Sequence, residues 1–143
     1  ENMWDWDNQE NHAAPAVCSS PQSFLEHLNA VNDEYFVACL DVGHAEMKGL
    51  GTNSVEMIRA LAGKLQALHL HDNDLWHDSH QIPFSMQMDF NAIAKALKQI
   101  NYQGDFTLEA DRYLSTYNSE NILEGLINLA SSARKIVDIF SKN

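Results

Sequence analysis

Three short apolar runs, residues 35–40, 65–71 and 105–109, alternate with longer segments whose apolar positions recur every three or four residues. The runs are too short for helices. They are continuous rather than alternating, the pattern of strands buried on both faces. The segments between them carry helix boundaries. Ser20 suits an N-cap and Pro21 the first helical position, with Phe24, Leu25, Leu28 and Val31 on one face and Asn32 and Asp33 at the end. Asn53 or Ser54 opens a second helix, with Met57, Ile58 and Leu61 inward and Gly63 as its stop. Asp89 caps a third, with Phe90, Ile93, Ala94, Leu97 and Ile100 on its core face, and Gly104 precedes the last strand. A final helix follows from about residue 119 to 140 with Ile122, Leu126, Leu129, Ile136 and Ile139 as apolar positions. Residues 2–19 read as a long polar loop, and residues 72–88 and 110–118 as two more.

The order is loop, α, β, α, β, α, β, α. Strict alternation implies right-handed crossovers and a parallel sheet. Three strands do not close a barrel, which needs about eight. Glu1 reads as the end of a further strand. The expected fold is therefore α/β, the C-terminal half of a (β/α)8 TIM barrel, with residues 1–143 as a single partial-barrel domain. Its missing complement would be an N-terminal half-barrel in a longer enzyme or a second copy of the chain. The first is favoured, because a lone half would expose two unpaired sheet edges.

Composition narrows the field. The 143 residues are 45% hydrophobic, enough for a folded core. A formal net charge of −11 argues against a broad grip on nucleic-acid phosphates. A metal-centred site stays open, because a bound cation dominates the charge around it. Cys18 and Cys39 lack a CxxC spacing and give neither a disulfide framework nor a zinc knuckle. No apolar run of membrane-spanning length and no basic–apolar leader is present, so a cytoplasmic, membrane-free protein is expected.

Each strand ends in metal-binding residue types. Cys39-Leu40-Asp41-Val42-Gly43-His44, Leu68-His69-Leu70-His71-Asp72-Asn73-Asp74 and Phe106-Thr107-Leu108-Glu109 are the three ends, and Glu1 is the fourth candidate. Side chains at the ends of adjacent parallel strands converge, so Asp41, His71 and Glu109 are expected around one divalent ion. Taken singly, Asp41 is a turn aspartate as readily as a ligand. His69 and His71 share a strand face. With that face inward, His69 lies deeper as a hydrogen-bonded core histidine, and His71 reaches the rim as a ligand. His44 is a contact for substrate or a second metal, or a solvated loop residue. Glu109 closes an apolar run and needs a partner; ligand and acid/base are its expected roles. Asp78-Ser79-His80 is a second carboxylate–imidazole pair for zinc or substrate, or a loop without such a duty. Trp4, Trp6, Trp76 and Phe84 either wall a pocket or pack down their loops. Arg112 either holds a phosphate or makes a surface ion pair.

These motifs, together with Glu1-Asn2-Met3 and Met88-Asp89-Phe90, resemble in order and spacing the C-terminal half of the xylose isomerase-like TIM barrels. That superfamily holds sugar and sugar-phosphate isomerases and epimerases, with the endonuclease IV enzymes as relatives. The resemblance covers residue 1 to about residue 112 and implies one divalent ion held by Glu1, Asp41, His71 and Glu109. It implies a substrate contact at His44. His77 stands where the family often has a substrate-binding arginine, and the glycine-rich turn usual after the Asp-x-His pair is replaced by Ile82-Pro83-Phe84-Ser85-Met86. Substrate binding is thus expected from His44, His77, Asp78 and His80.

The implied activity is sugar or sugar-phosphate isomerisation or epimerisation. The ion would polarise a carbonyl, and Glu1 and Glu109 would act as a catalytic pair, one removing a proton and the other returning it. Mn²⁺, Mg²⁺ or Co²⁺ suits this ligand set, with Zn²⁺ as a further candidate. The expected partner is a small sugar. Two alternatives stand beside it: an endonuclease IV-like metal-dependent phosphodiesterase using Asp78 and His80, and a half-barrel inactive by itself.

Overall fold

The computed structural model describes residues 1–142. The chain opens with an antiparallel hairpin, β1 (Trp4–Asp7) and β2 (His12–Pro15). Then come α1 (Pro21–Val31), β3 (Ala38–Asp41), a short helix α2 (Val42–Glu46), α3 (Ser54–Leu61) and a 3-10 turn over Ala62–Lys64. The chain continues with β4 (Leu65–Leu70), α4 (Phe90–Gln99), β5 (Thr107–Leu108), α5 (Asp111–Leu114) and α6 (Ile122–Lys142).

The caps form where the side chains allow. Ser20 Oγ accepts from Ser23 N at 3.2 Å, Asn53 Oδ1 from Glu56 N at 2.9 Å, and Asp89 Oδ1 from Asn91 N and Ala92 N at 3.0 and 3.1 Å. Each cap satisfies amide groups that the helix itself leaves unbonded.

The three later strands form one parallel sheet in the order β3-β4-β5. The register places Asp41 opposite His69, and His69 opposite Thr107. Glu109 N donates to Leu70 O at 3.0 Å, which carries the ladder one residue past β5. Asp41, the His69–His71 segment and Glu109 therefore finish at the same end of the sheet. Leu40, Leu68 and Leu70 are wholly buried with Met57, Ile58, Phe90, Ile93, Leu97 and Ile136 from the helices. Burying each such side chain contributes roughly 1.5–3 kcal/mol. Helix α1 packs on α3, α3 on α4, and α4 on α6. A second small apolar cluster, Ala13, Met47 and Leu50 with Trp4, seats the hairpin.

Five expectations about local structure change. Residues 110–118, expected as a loop, contain α5. Residues 2–19 contain the hairpin rather than one long loop; Trp4 and Trp6 alternate with aspartates, so the strand signal is carried by only two large side chains. The first buried strand begins at Ala38, not at residue 35, because its partner β4 begins opposite at Leu65. Tyr35 is 87% exposed, and Phe36 N bonds back to Asp33 O in a turn. The segment after Asp41 is helical, with Asp41 itself as the N-cap. Ala62, rather than Gly63, takes the positive φ that ends α3. Among the described residues no helix is long and apolar enough to cross a membrane.

Candidate functional site

Asp41 is completely buried at the end of β3. Its Oδ1 accepts from His44 N at 2.8 Å, and His71 Nε2 lies 3.0 Å from the same oxygen. Burial by itself would raise its pKa, but the His71 hydrogen bond, with the positive charge His71 and His44 can carry, holds the carboxyl below the ordinary carboxylate value. Asn2 lies alongside β3. Its Nδ2 donates to Asp41 O at 2.9 Å and its Oδ1 accepts from Asp41 N at 2.8 Å. This reciprocal pair pins Glu1 next to the strand end.

His71, also fully buried, is held from three sides. Asp41 bonds one edge of its ring. His80 stacks on the face at 4.2 Å, the planes 7° apart. The third side is Gly43: a Cβ there would stand 2.1 Å from His71 Cε1. The position needs glycine because the imidazole occupies the space a side chain would take. Asn73 Nδ2 bonds Gly43 O at 2.9 Å and fixes that approach.

His69 stands nearer the carboxylates of the outer strands. Its Nδ1 is 3.4 Å from Glu1 Oε1 and 2.9 Å from Glu109 Oε2. Along the chain His69 lies within β4 and His71 just past its end, as expected, but exposure does not follow that order: the His69 side chain is 29% exposed and that of His71 is 0%. The loop bearing Asp78 and His80 folds over His71 and covers it. His69, expected in the core, instead meets both glutamates.

The Asp78–His80 loop closes the site on the other side. Asp78 Oδ2 lies 3.3 Å from His44 Nε2 and 3.1 Å from His80 Nε2, and Asp78 Oδ1 is 3.6 Å from His71 Nε2. Burial would raise the Asp78 carboxyl, but the His44 bond and the neighbouring imidazoles pull it to about 2. Burial would likewise depress His44; Asp78 and Asp41 outweigh it and lift His44 to about 9. His80 Nδ1 bonds Glu109 O at 2.9 Å, which ties this loop to the exit of β5. His77 lies apart, 69% exposed, bonded to Asp74 and stacked on Trp6.

Two groups of side chains could therefore hold a cation. One is Glu1, Asp41, His69 and Glu109; the other is His44, His71, Asp78 and His80; within each, the donor atoms lie within 4.8 Å of one another. The donors fit a divalent ion on a second count. His71 Nδ1 and Asp78 Oδ1 are buried with no hydrogen-bond partner, and the buried His69 Nδ1 and Glu109 Oε2 meet at 2.9 Å as an ion-pair contact without hydrogen-bond geometry. Poorly satisfied buried polar atoms are costly, and a cation in either group would satisfy its members. Sequence reasoning missed Asn2, Asp72 and Asn73. Asp72 accepts from Met86 N and Met88 N at 2.8 and 3.1 Å and anchors the long loop. Only the polar residue types following an apolar run hint at these roles.

A family model described as xylose isomerase-like TIM barrel matches residues 1–135. An uncharacterized protein of Methanocaldococcus jannaschii is 24% identical over 112 residues, which cover 78% of this chain and 38% of that protein. An uncharacterized protein of Sinorhizobium fredii is 33% identical over 90 residues, 62% of this chain and 28% of that protein. Among solved structures, a D-tagatose 3-epimerase-like protein superposes with a TM-score of 0.69 at 20% identity, over 99% of this chain and 46% of its own. An L-ribulose 3-epimerase gives 0.64 at 20% identity, over 88% and 43%. A D-allulose 3-epimerase from Methylomonas sp., in complex with D-allulose, gives 0.62 at 20% identity, over 85% and 43%. The chain thus spans less than half the length of each of these relatives. The shared fold is that of the TIM-barrel superfamily, present here as a partial barrel.

Proposed function

The chain belongs to the xylose isomerase-like TIM barrel family, and from that premise we propose that its strand ends carry the metal-holding and proton-moving residues of a sugar isomerase or epimerase. The observation that carries this reading is the placement of two glutamates from different elements. Glu1, beside β3, and Glu109, after β5, both approach the His69 imidazole, with Asp41 in the same group. A carboxylate on each flank is what proton removal and return at one carbon require.

We assign Glu1, Asp41, His71 and Glu109 as the ligands of one divalent ion. His71 is preferred over His69 as the imidazole because its ring is locked by Asp41, His80 and the gap at Gly43. A ligand held in place loses little freedom on coordination. His69, more exposed, lies 3.4 Å from Glu1 Oε1 and 2.9 Å from Glu109 Oε2. Mn²⁺, Mg²⁺ or Co²⁺ suits three carboxylates and one imidazole, with Zn²⁺ as a further candidate. When bound, such an ion polarises a substrate carbonyl and acidifies the adjacent C–H. One of Glu1 and Glu109 accepts that proton, and the other delivers one to the opposite face. His44, whose Nδ1 bonds Asn2 O and whose Nε2 bonds Asp78 Oδ2, would contact a substrate hydroxyl by exchanging its bond to Asp78. Asp78, His80 and His77 line the approach on the loop side.

Deuterium uptake from D2O into a ketose tests the assignment, assayed in the intact parent enzyme. The Glu109→Gln variant should keep its fold by circular dichroism and lose exchange by at least about 10²-fold, as expected for removal of an acid/base group. A folded variant that still exchanges at the wild-type rate would overturn the assignment.

The second group, His44, His71, Asp78 and His80, favours one other reading, a phosphodiesterase of endonuclease IV type with more than one ion. The net charge of −11 counts against a nucleic-acid substrate. One bound ion per chain supports isomerisation; a multinuclear cluster supports hydrolysis.

A further inference from the structure

A cavity of about 290 Å³ opens beside the histidine cluster, lined by Trp4, Trp6, Trp76, His77, Asp78 and Arg112. It contains every tryptophan of the chain, which has three. Two come from β1 and one from the loop after β4, so unrelated segments build a single aromatic wall. Trp4 and Trp6 meet edge to face at 6.3 Å, and Trp6 stacks on His77 at 6.5 Å. Lys48 Nζ covers Trp76 at 4.5 Å. Aromatic faces of this kind pack against the C–H faces of a small ligand and shield it from water.

The lining also carries two groups of opposite charge, Asp78 and Arg112. Asp78 belongs both to this cavity and to the histidine cluster, and it brings a carboxylate to the lining. Arg112 supplies the positive charge. The carboxylate next to it in sequence, Asp111, lies 3.1 Å from His80 Nδ1 instead. Among the described residues the Arg112 guanidinium makes no ion pair or hydrogen bond. That is notable in a chain with 20 acidic and 9 basic residues. An unpaired guanidinium facing a cavity is suited to a phosphate or carboxylate, which it binds in bidentate fashion.

We propose that this cavity, from Asp78 to Arg112, binds the far end of an anionic sugar, with hydroxyls directed to Asp78 and a terminal phosphate or carboxylate on Arg112. The inference rests on the isomerase reading above and narrows its substrate to ketoses carrying a negative charge away from the reacting carbons. Arg112, on α5, lies three residues beyond Glu109 in sequence. The indole wall takes the uncharged part of the ligand.

The three tryptophans make occupancy directly visible. The probes are fructose, fructose 6-phosphate and fructuronate, which differ only at the sixth carbon, titrated against the Mn²⁺-loaded chain while indole emission is followed. An anionic probe should bind at least about tenfold more tightly than fructose. Arg112→Gln should remove that preference and leave fructose affinity within about twofold. A tighter phosphate than carboxylate identifies a sugar phosphate, and the reverse identifies a sugar acid. Equal affinity for all three probes, no emission change with any of them, or an unchanged preference in Arg112→Gln overturns the inference. A parallel Mn²⁺ titration separates the two claims: bound metal without anion preference fails this inference alone, whereas absent metal binding fails the isomerase reading as well.

Discussion

Gly43 shows how narrowly single residues set this site. A methyl group there would occupy the place of the His71 ring, 2.1 Å from Cε1. Gly43→Ala should displace the ring from Asp41 and destabilise the chain by about 1–3 kcal/mol, the usual range for overpacking. Chemical denaturation measures the loss, and the His71 ring resonances report the displacement. The His44–Asp78 pair makes a pH prediction. His44, ordinarily near 6.5, is raised to about 9, so the folded chain holds that proton more tightly than the unfolded one. Its stabilisation is whole below pH 6.5 and disappears as pH rises to about 9. Asp78, ordinarily near 3.8, is lowered to about 2, so its stabilisation is whole above 3.8 and disappears as pH falls to about 2. The melting temperature of the chelator-treated chain should therefore be level between about pH 4 and 6.5 and decline toward pH 9. His44→Gln should flatten the alkaline decline; an unaltered slope in that variant would assign it to other groups.

At the scale of elements, the parallel register does most of the positioning. Leu68 is wholly buried in the central strand between Asp41 and the β5 ladder. Leu68→Ala should cost about 2–5 kcal/mol by denaturant titration, in the range for leucine truncation in a core. Capping is a smaller effect: Asp89→Ala should cost about 0.5–2 kcal/mol. The helices α1, α3, α4 and α6 were legible because Ser20, Asn53 and Asp89 advertise their starts and because their apolar faces repeat. The strand ends were legible only together: an apolar run closing on Asp41 is a weak signal alone and gains force from matching ends at His71 and Glu109. The hairpin was not. Its strands have four residues each, and its contacts to Met47 and Leu50 are long-range. Nor was the covering of His71 by the Asp78–His80 loop. That depends on bonds from Asp72 to Met86 and Met88 and from His80 to Glu109 O, which no local pattern encodes.

For the whole molecule, the sheet and the segments beside it bring Glu1, Asp41, His69 and Glu109 together at one end, next to a second group of His44, His71, Asp78 and His80. Four carboxylates and four imidazoles meet there, and His71 Nδ1 and Asp78 Oδ1 lack a hydrogen-bond partner. A bound ion should therefore stabilise the fold by mass action. The central claim is that Glu1, Asp41, His71 and Glu109 share one divalent ion. A calorimetric titration of the chelator-treated chain with Mn²⁺ addresses it most directly, repeated on Asp41→Asn and Glu109→Gln. Saturable uptake of one ion per chain, weakened at least about tenfold in each variant, is the predicted result. The absence of saturable uptake, or variants that bind as well as the unaltered chain, would contradict it.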